Sequence, residues 1–332
     1  VKKLINNPES VVEEMLAGVV AANPTEVRKL PDANVIARKN SPVAGKVALV
    51  SGGGSGHEPA HGGYVGEGML DAAVAGAVFT SPTPDQVYEA VKAVDSGKGT
   101  LLVVKNYTGD IMNFDMAAEM AQADGMQVAS VVVNDDVAVE NSTWTAGRRG
   151  IAGTIFVHKI AGAAAEQGAA LGEVKRVADK VVAHVRSMGM ALTPCTVPAA
   201  GKPSFTLAEN EVEIGMGIHG EPGTHREALR PAEEIVRHLM SKILPDLPYN
   251  KGDEVAVLVN GLGGTPLMEL YILNKTVSEI LQEKGIAVHR TYVGEYMTSL
   301  EMAGASISLL KLDAELKALL DAPANTPAFR QR

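Results

Sequence analysis

Val47-Ala48-Leu49-Val50-Ser51-Gly52-Gly53-Gly54-Ser55-Gly56-His57-Glu58-Pro59-Ala60-His61 joins an apolar run to a glycine stretch that carries two histidines. Lys46 to Val50 reads as a buried strand, which puts the glycines in a loop just past its end. Glycine-rich backbone can approach a small ligand closely and aim its N–H groups inward, because no Cβ intervenes. Thr100 to Val104 and Gln127 to Val133 read as further buried strands, with helices predicted over Pro84 to Val94 and Asp110 to Ala123. That alternation predicts an α/β domain. Two long helices, Gly147 to Gln167 and Leu171 to Arg186, follow, and Gly201-Lys202-Pro203 punctuates the chain after them. The second half repeats the style, with strands over Val212 to Ile218, Val255 to Val259, Ala287 to Val293 and Ser306 to Leu310. Helices are predicted there over Ala232 to Lys242, Pro266 to Gln282 and Ala314 to Leu320. The expectation is two α/β domains, 1–190 and 191–332, each a mainly parallel or mixed sheet flanked by helices. Val259-Asn260-Gly261-Leu262-Gly263-Gly264-Thr265-Pro266 echoes the first strand and glycine loop, in the common manner of α/β turns rather than as a duplication.

Three familiar motifs nearly fit the opening stretch. A P-loop needs Lys and then Ser or Thr after its last glycine to reach phosphate and magnesium, but His57-Glu58 follow Gly56. A dinucleotide fingerprint needs glycine at its sixth place, where this chain has His57 or Pro59. His57-Glu58-Pro59-Ala60-His61 matches the zinc-protease pattern, yet that pattern works only on a helix, which Pro59 and Gly62-Gly63 oppose. No metal site is predicted.

At 332 residues, 46% apolar and 21% charged, the chain can bury a sizeable core. A net charge of -9 without a Lys/Arg cluster argues against nucleic acid or an anionic membrane as partner, since both need a positive face. The single Cys195 excludes an intrachain disulfide and suits a reducing cytoplasm, the expected location. Near the N-terminus Asn7-Pro8-Glu9 reads as a helix start, and Glu13 and Glu14 interrupt any signal-peptide core.

Chemistry-bearing residues recur where such folds bind ligands. Lys105 and Asp110 arrive at the carboxyl end of the strand Leu101 to Val104, although Asp110 alone reads as a helix N-cap. His219 sits among glycines in Ile214-Gly215-Met216-Gly217-Ile218-His219-Gly220-Glu221-Pro222-Gly223. A neutral imidazole is a competent nucleophile or base near pH 7. His57, His219, Lys105 and Asp110 on separate glycine-containing loops therefore make a candidate polar pocket. His158, His184, His225, His238 and His289 read as structural or solvent-facing.

Five segments together are more specific: Gly52 to Pro59, Phe79 to Pro84, Lys105 to Asp110, Ala146 to Gly150 and Gly217 to Gly223. Over essentially the whole chain they resemble the dihydroxyacetone-binding subunit of dihydroxyacetone kinase. The resemblance implies that His219 attacks the ketone carbon through Nε2 and holds the substrate as a hemiaminal, which selects carbonyl compounds over glycerol. It also implies that Gly54, Ser55, Gly56, His57, Ser81, Lys105, Asp110 and His219 surround the substrate. Asp110 would draw the proton from the hydroxyl that accepts phosphate, with His57 as a second acid/base group and Lys105 bonding substrate oxygen.

ATP-dependent members carry a further nucleotide-binding domain, which is not expected in this sequence. The resemblance thus implies a phosphoryl donor on a separate nucleotide-binding subunit, which brings Mg²⁺ and ADP/ATP. That subunit would be recharged through a phosphocarrier protein of the phosphotransferase system, with phosphoenolpyruvate the ultimate donor. This chain would bind no cofactor itself and would form homodimers. Some paralogues of the subunit resemble dihydroxyacetone-responsive coactivators, whose departures should fall at catalytic positions. His57, Asp110 and His219 are intact here. A stand-alone ATP-dependent sugar kinase lacks a recognisable phosphate-binding sequence in this chain.

Overall fold

In the computed structural model, which describes residues 2–141 and 145–332, two six-stranded sheets share a middle layer of helices. After α1 (Val11–Ala22), the first sheet takes β1 (Val27–Lys29), β2 (Val35–Arg38), β3 (Ala48–Ser55), β4 (Ala72–Val78), β5 (Thr100–Lys105) and β6 (Val128–Val133). Its order is β1-β2-β4-β3-β5-β6, with β4, β3, β5 and β6 parallel and β1 and β2 antiparallel at one edge. The helices α2 (Pro84–Val94) and α3 (Thr108–Ala123) cover its outer face over Val50, Leu102 and Val104.

The middle layer holds α4 (Thr154–Glu166) and α5 (Leu171–His184). Every α4 residue from Thr154 to Ala165 is buried, as a helix pressed on from both sides must be. By contrast α5 buries one stripe, Val174, Val177, Ala178 and Val181, at helical spacing. A single core joins Leu49, Leu101 and Val103 below this layer to Leu258 and Leu310 above it. The second sheet takes β7 (Val185–Ala191), β8 (Glu211–Ile214), β9 (His225–Ala228), β10 (Glu254–Gly261), β11 (Ala287–Glu295) and β12 (Gly304–Leu312), in the order β11-β10-β12-β7-β8-β9. Only β10 and β11 pair in parallel, so this sheet is mixed. Its outer face is covered by α6 (Ala232–Asp246) and α7 (Leu267–Glu283), while α8 (Ala314–Asp321) packs against α4.

The α/β class and most strands follow the sequence pattern. Several bounds differ for identifiable reasons. β3 does not stop at Val50 but continues through Ser55, because Gly52, Gly53 and Gly54 pair in register with Val74, Ala75 and Gly76 of β4. A Cβ on Gly52 would stand 2.4 Å from the Val74 carbonyl oxygen, and one on Gly54 would stand 2.5 Å from the Thr80 nitrogen. These glycines therefore serve close strand packing rather than a free loop. α4 starts at Thr154 rather than Gly147, since the Asp135 carboxylate accepts the Ile151 and Gly153 N–H groups and holds the approach as a loop. The chain passes from α5 directly into β7 at Val185, so the division expected at 190 falls within that strand. Gly215, at φ +74°, ends β8 and leaves His219 on a turn.

Candidate functional site

The carboxyl ends of β3 and β5 face the turn after β8 and the loop after β11, and four elements thereby meet. Ser55 and Lys105 are the last residues of their strands. His57 follows Ser55 on turns and bends, and no helix spans His57 to His61, so the zinc-protease spacing has no common helical face. The loop after β11 clasps the His57 segment: Thr298 N–H donates to the His57 carbonyl at 3.1 Å and Leu300 N–H to the Gly56 carbonyl at 2.8 Å.

His57 is fully buried, and its Nδ1 lies 2.8 Å from the Thr298 carbonyl oxygen. A carbonyl only accepts, so the His57 proton is assigned to Nδ1 and Nε2 is left as an acceptor. That Nε2 lies 3.1 Å from Nε2 of His219. Burial, with His219 and Lys105 nearby, pushes the His57 ring well below the usual histidine range, so it is neutral at pH 7. Phe79 stacks on His57 at 5.2 Å and meets His219 edge-on at 5.4 Å, while Tyr107 packs on His219 at 4.5 Å. Phe79 takes a left-handed φ of 58°, a costly conformation for a residue with a side chain.

Glu221 holds the other side of His219. Its Oε2 accepts the His219 backbone N–H at 2.7 Å, and its Oε1 lies 3.8 Å from His219 Nδ1 and 3.7 Å from Arg149. Burial would raise this carboxyl, but His219 and the Arg149 guanidinium outweigh it and hold it down to about 2. Arg149, fully buried, also donates to Asp136 at 2.8 Å and to the Gly215 carbonyl at 2.6 Å. Gly217 is required here, since a Cβ would fall 2.1 Å from Glu221 Oε1. Arg149→Met removes the counter-charge of two buried carboxylates. It should lower the unfolding free energy by about 3–5 kcal/mol in urea titration. An unchanged urea midpoint would show that Asp136 and Glu221 are paired some other way.

Lys105 and Asp110 form the second half. Asp110 is not the N-cap of α3, a place Tyr107 takes; it stands in the first turn, buried, with Oδ2 3.8 Å from Lys105 Nζ. Burial lowers the Lys105 ammonium and Asp110 partly restores it. A Cβ on Gly53 would come within 2.6 Å of that ammonium. Ser55 donates to the Gly76 carbonyl at 2.7 Å, and Gly56 lies under Phe79 and Leu300. Ser81 sits against Gly109 at the start of α3, its Oγ accepting from Asn113 at 3.4 Å.

Thus His57 meets His219, and Lys105 meets Asp110 and Gly53. Thr298, Phe79, Glu221 and Arg149 were not singled out from sequence for any role. Glu221, two residues after His219 among glycines, had a local signal; Thr298, 241 residues from His57, had none. Cavities of about 520 and 500 Å³ both border Ser55 and Glu58, but His219, Lys105 and Asp110 line neither. The clustering of polar groups, rather than cavity size, marks the site. His225, Glu227 and His238 form a separate surface cluster, where Arg230 already lies 3.3 Å from the Glu227 carboxylate. Among the described residues no helix is long and apolar enough to cross a membrane.

Paired imidazoles and a buried Lys–Asp pair thus meet where the two sheets approach each other. The Dak1 domain family matches residues 17–328, and the chain belongs to it and to the dihydroxyacetone kinases. It is 55% identical over 329 residues to the PTS-dependent dihydroxyacetone kinase 1, dihydroxyacetone-binding subunit DhaK, of Listeria innocua, covering 99% of this chain and 100% of that one. Among solved structures it resembles a dihydroxyacetone kinase operon co-activator, DhaQ, at 38% identity and TM-score 0.90, over 96% of this chain and 98% of the other. The dihydroxyacetone kinase of C. freundii in complex with AMP-PNP and Mg²⁺ matches at 35% identity and TM-score 0.92, over 99% of this chain and 61% of that one.

Proposed function

We propose that this chain is the dihydroxyacetone-binding subunit of a phosphoenolpyruvate-dependent dihydroxyacetone kinase, holding its substrate as a hemiaminal on His219. The carrying observation is the 3.1 Å contact between the two Nε2 atoms, with His57 fixed by Thr298 as the acceptor. His219 then bears its proton on Nε2, directed at His57. As a ketone approaches, that proton passes to His57 and the freed lone pair forms the N–C bond. The carbonyl π pair moves to oxygen, which takes the proton back from His57. The sum adds N–H across C=O and leaves a neutral adduct. Glu221, by accepting the His219 backbone N–H at 2.7 Å, holds the turn that sets the ring against His57.

The adduct fixes the ketone carbon and leaves a terminal hydroxyl to face Lys105 and Asp110. Asp110 accepts the hydroxyl proton as its oxygen bonds to phosphorus, and the Lys105 ammonium steadies that oxygen. A magnesium nucleotide on a separate subunit supplies the phosphoryl group, itself recharged by a phosphocarrier of the phosphotransferase system. Supporting a split enzyme, the identity is higher to the PTS-dependent Listeria subunit than to the nucleotide-bound C. freundii kinase. Homodimer assembly and a cytoplasmic location belong to the same reading.

A second reading, a dihydroxyacetone-sensing coactivator, is favoured by the likeness to DhaQ. One reconstitution separates the two. With ATP alone the protein should form no dihydroxyacetone phosphate, and adding a nucleotide-loaded partner subunit with its phosphocarrier and phosphoenolpyruvate should start turnover. Product from ATP alone would sink the split enzyme, and none from the complete system would leave the coactivator.

A further inference from the structure

Behind Lys105 lies a pair of histidines that the proposed chemistry does not use. Lys105 Nζ is 3.1 Å from His61 Nε2, and His61 Nδ1 is 2.9 Å from His158 Nε2. All three side chains are buried, and His158 projects from α4, the helix between the two sheets. The ionisable groups around them are Asp110 on α3, His57 after β3, and Tyr64, whose ring lies 6.3 Å from that of His158.

The hydrogen bonds have only two self-consistent directions. An ammonium has donors alone, so against charged Lys105 the Nε2 of His61 must be bare. His61 then carries its proton on Nδ1 and donates to a bare Nε2 of His158, whose own proton is left on Nδ1. That atom is buried without a partner. In the reverse direction both rings carry protons on Nε2, and His61 donates to an uncharged Lys105 amine. A charged Lys105 thus permits only the first direction, whereas an uncharged amine, both donor and acceptor, would permit either. Burial keeps both rings well below the usual histidine range, so neither competes with Lys105 as the cation at neutral pH.

We infer that His61 and His158 are positioning residues for phosphoryl transfer: ordered as two Nδ1–H tautomers, they hold the Lys105 ammonium aimed beside Asp110. The role given to Lys105 rests on the function proposed above; the tautomers do not. Each ring acts through its neighbour, as outer partners of a metal-bound histidine fix its tautomer.

Imidazole ¹⁵N spectra of the ¹⁵N-histidine-labelled wild-type protein at pH 7 test the arrangement without any variant. Nδ1–H is expected on both His61 and His158, with the preference lost in Lys105→Met. Nε2–H on either ring would overturn the inference. In the reconstituted kinase, His158→Leu should lower kcat about tenfold while KM, set by capture on His219, moves little. His158→Glu, an acceptor only, should restore most of kcat by again fixing His61 as Nδ1–H. A folded His158→Leu with unchanged kcat, or a folded His158→Glu no better than Leu, would also overturn it. Complete inactivity of the wild-type reconstitution would instead count against the kinase reading and leave the tautomer result standing.

Discussion

His219→Ala should abolish covalent capture of dihydroxyacetone, and the effect should be all-or-none because the Nε2 set against His57 leaves with the ring. With [2-¹³C]dihydroxyacetone the wild-type protein should convert the ketone resonance into a carbinol-type signal of a protein-bound sp³ carbon. In the alanine variant only the free ketone and its hydrate should remain. The fold should survive the change, because Glu221 accepts the backbone N–H of residue 219 rather than its ring. Selectivity should fall with the adduct, since glycerol is excluded for want of an electrophilic carbon. Because burial keeps His57 neutral well below pH 7, protonation of His57 should not limit capture in mildly acidic buffer. A wild-type protein that binds dihydroxyacetone tightly yet shows no carbinol signal would remove the covalent role of His219.

How far this site was legible in the sequence depends on what each residue's neighbours are. His219 and Glu221 lie two positions apart among glycines, and the crowding that excludes a Cβ at Gly217 is written locally. Lys105 and Asp110 were legible as the carboxyl end of a strand and the helix after it, although Asp110 alone read as a cap. The contact between His57 and His219 spans 162 residues and two sheets, so spacing could not announce it; family resemblance implied only that both rings border the substrate, with His57 assisting Asp110. His158 read as a structural helix residue because α4 carries no polar face to give it away, being buried on all sides. β4, with the sequence Ala-Ala-Val-Ala-Gly-Ala-Val, has weak strand propensity and was missed. It forms because the glycines of β3 let it come close. The same glycines misled in the other direction: in isolation they suggest a loop, and in a parallel register they are strand.

Asp110→Asn should keep the adduct and lose transfer. The substitution preserves shape and removes the proton acceptor, so turnover in the reconstituted system should fall about 10²- to 10⁴-fold, the worth of a positioned base. The ¹³C carbinol signal should persist, since His219 and His57 are untouched. A second consequence concerns Lys105. Burial already depresses its ammonium, and Asp110, 3.8 Å away, is the group that offsets this. Without that carboxylate the depression deepens. Lysine then binds its proton more readily in the unfolded chain than in the folded one, and stability rises with pH between the lowered folded value and the ordinary unfolded one. Asp110→Asn should therefore unfold more easily than wild type at neutral pH and recover part of the difference as pH increases, by thermal melting across that range. Because the adduct signal reports His219 and the pH dependence reports Lys105, the two readouts separate a lost base from a disturbed site. Near-wild-type turnover in a variant that still forms the adduct would show that the hydroxyl proton leaves by another route, and Asp110 would then be no more than the partner of Lys105.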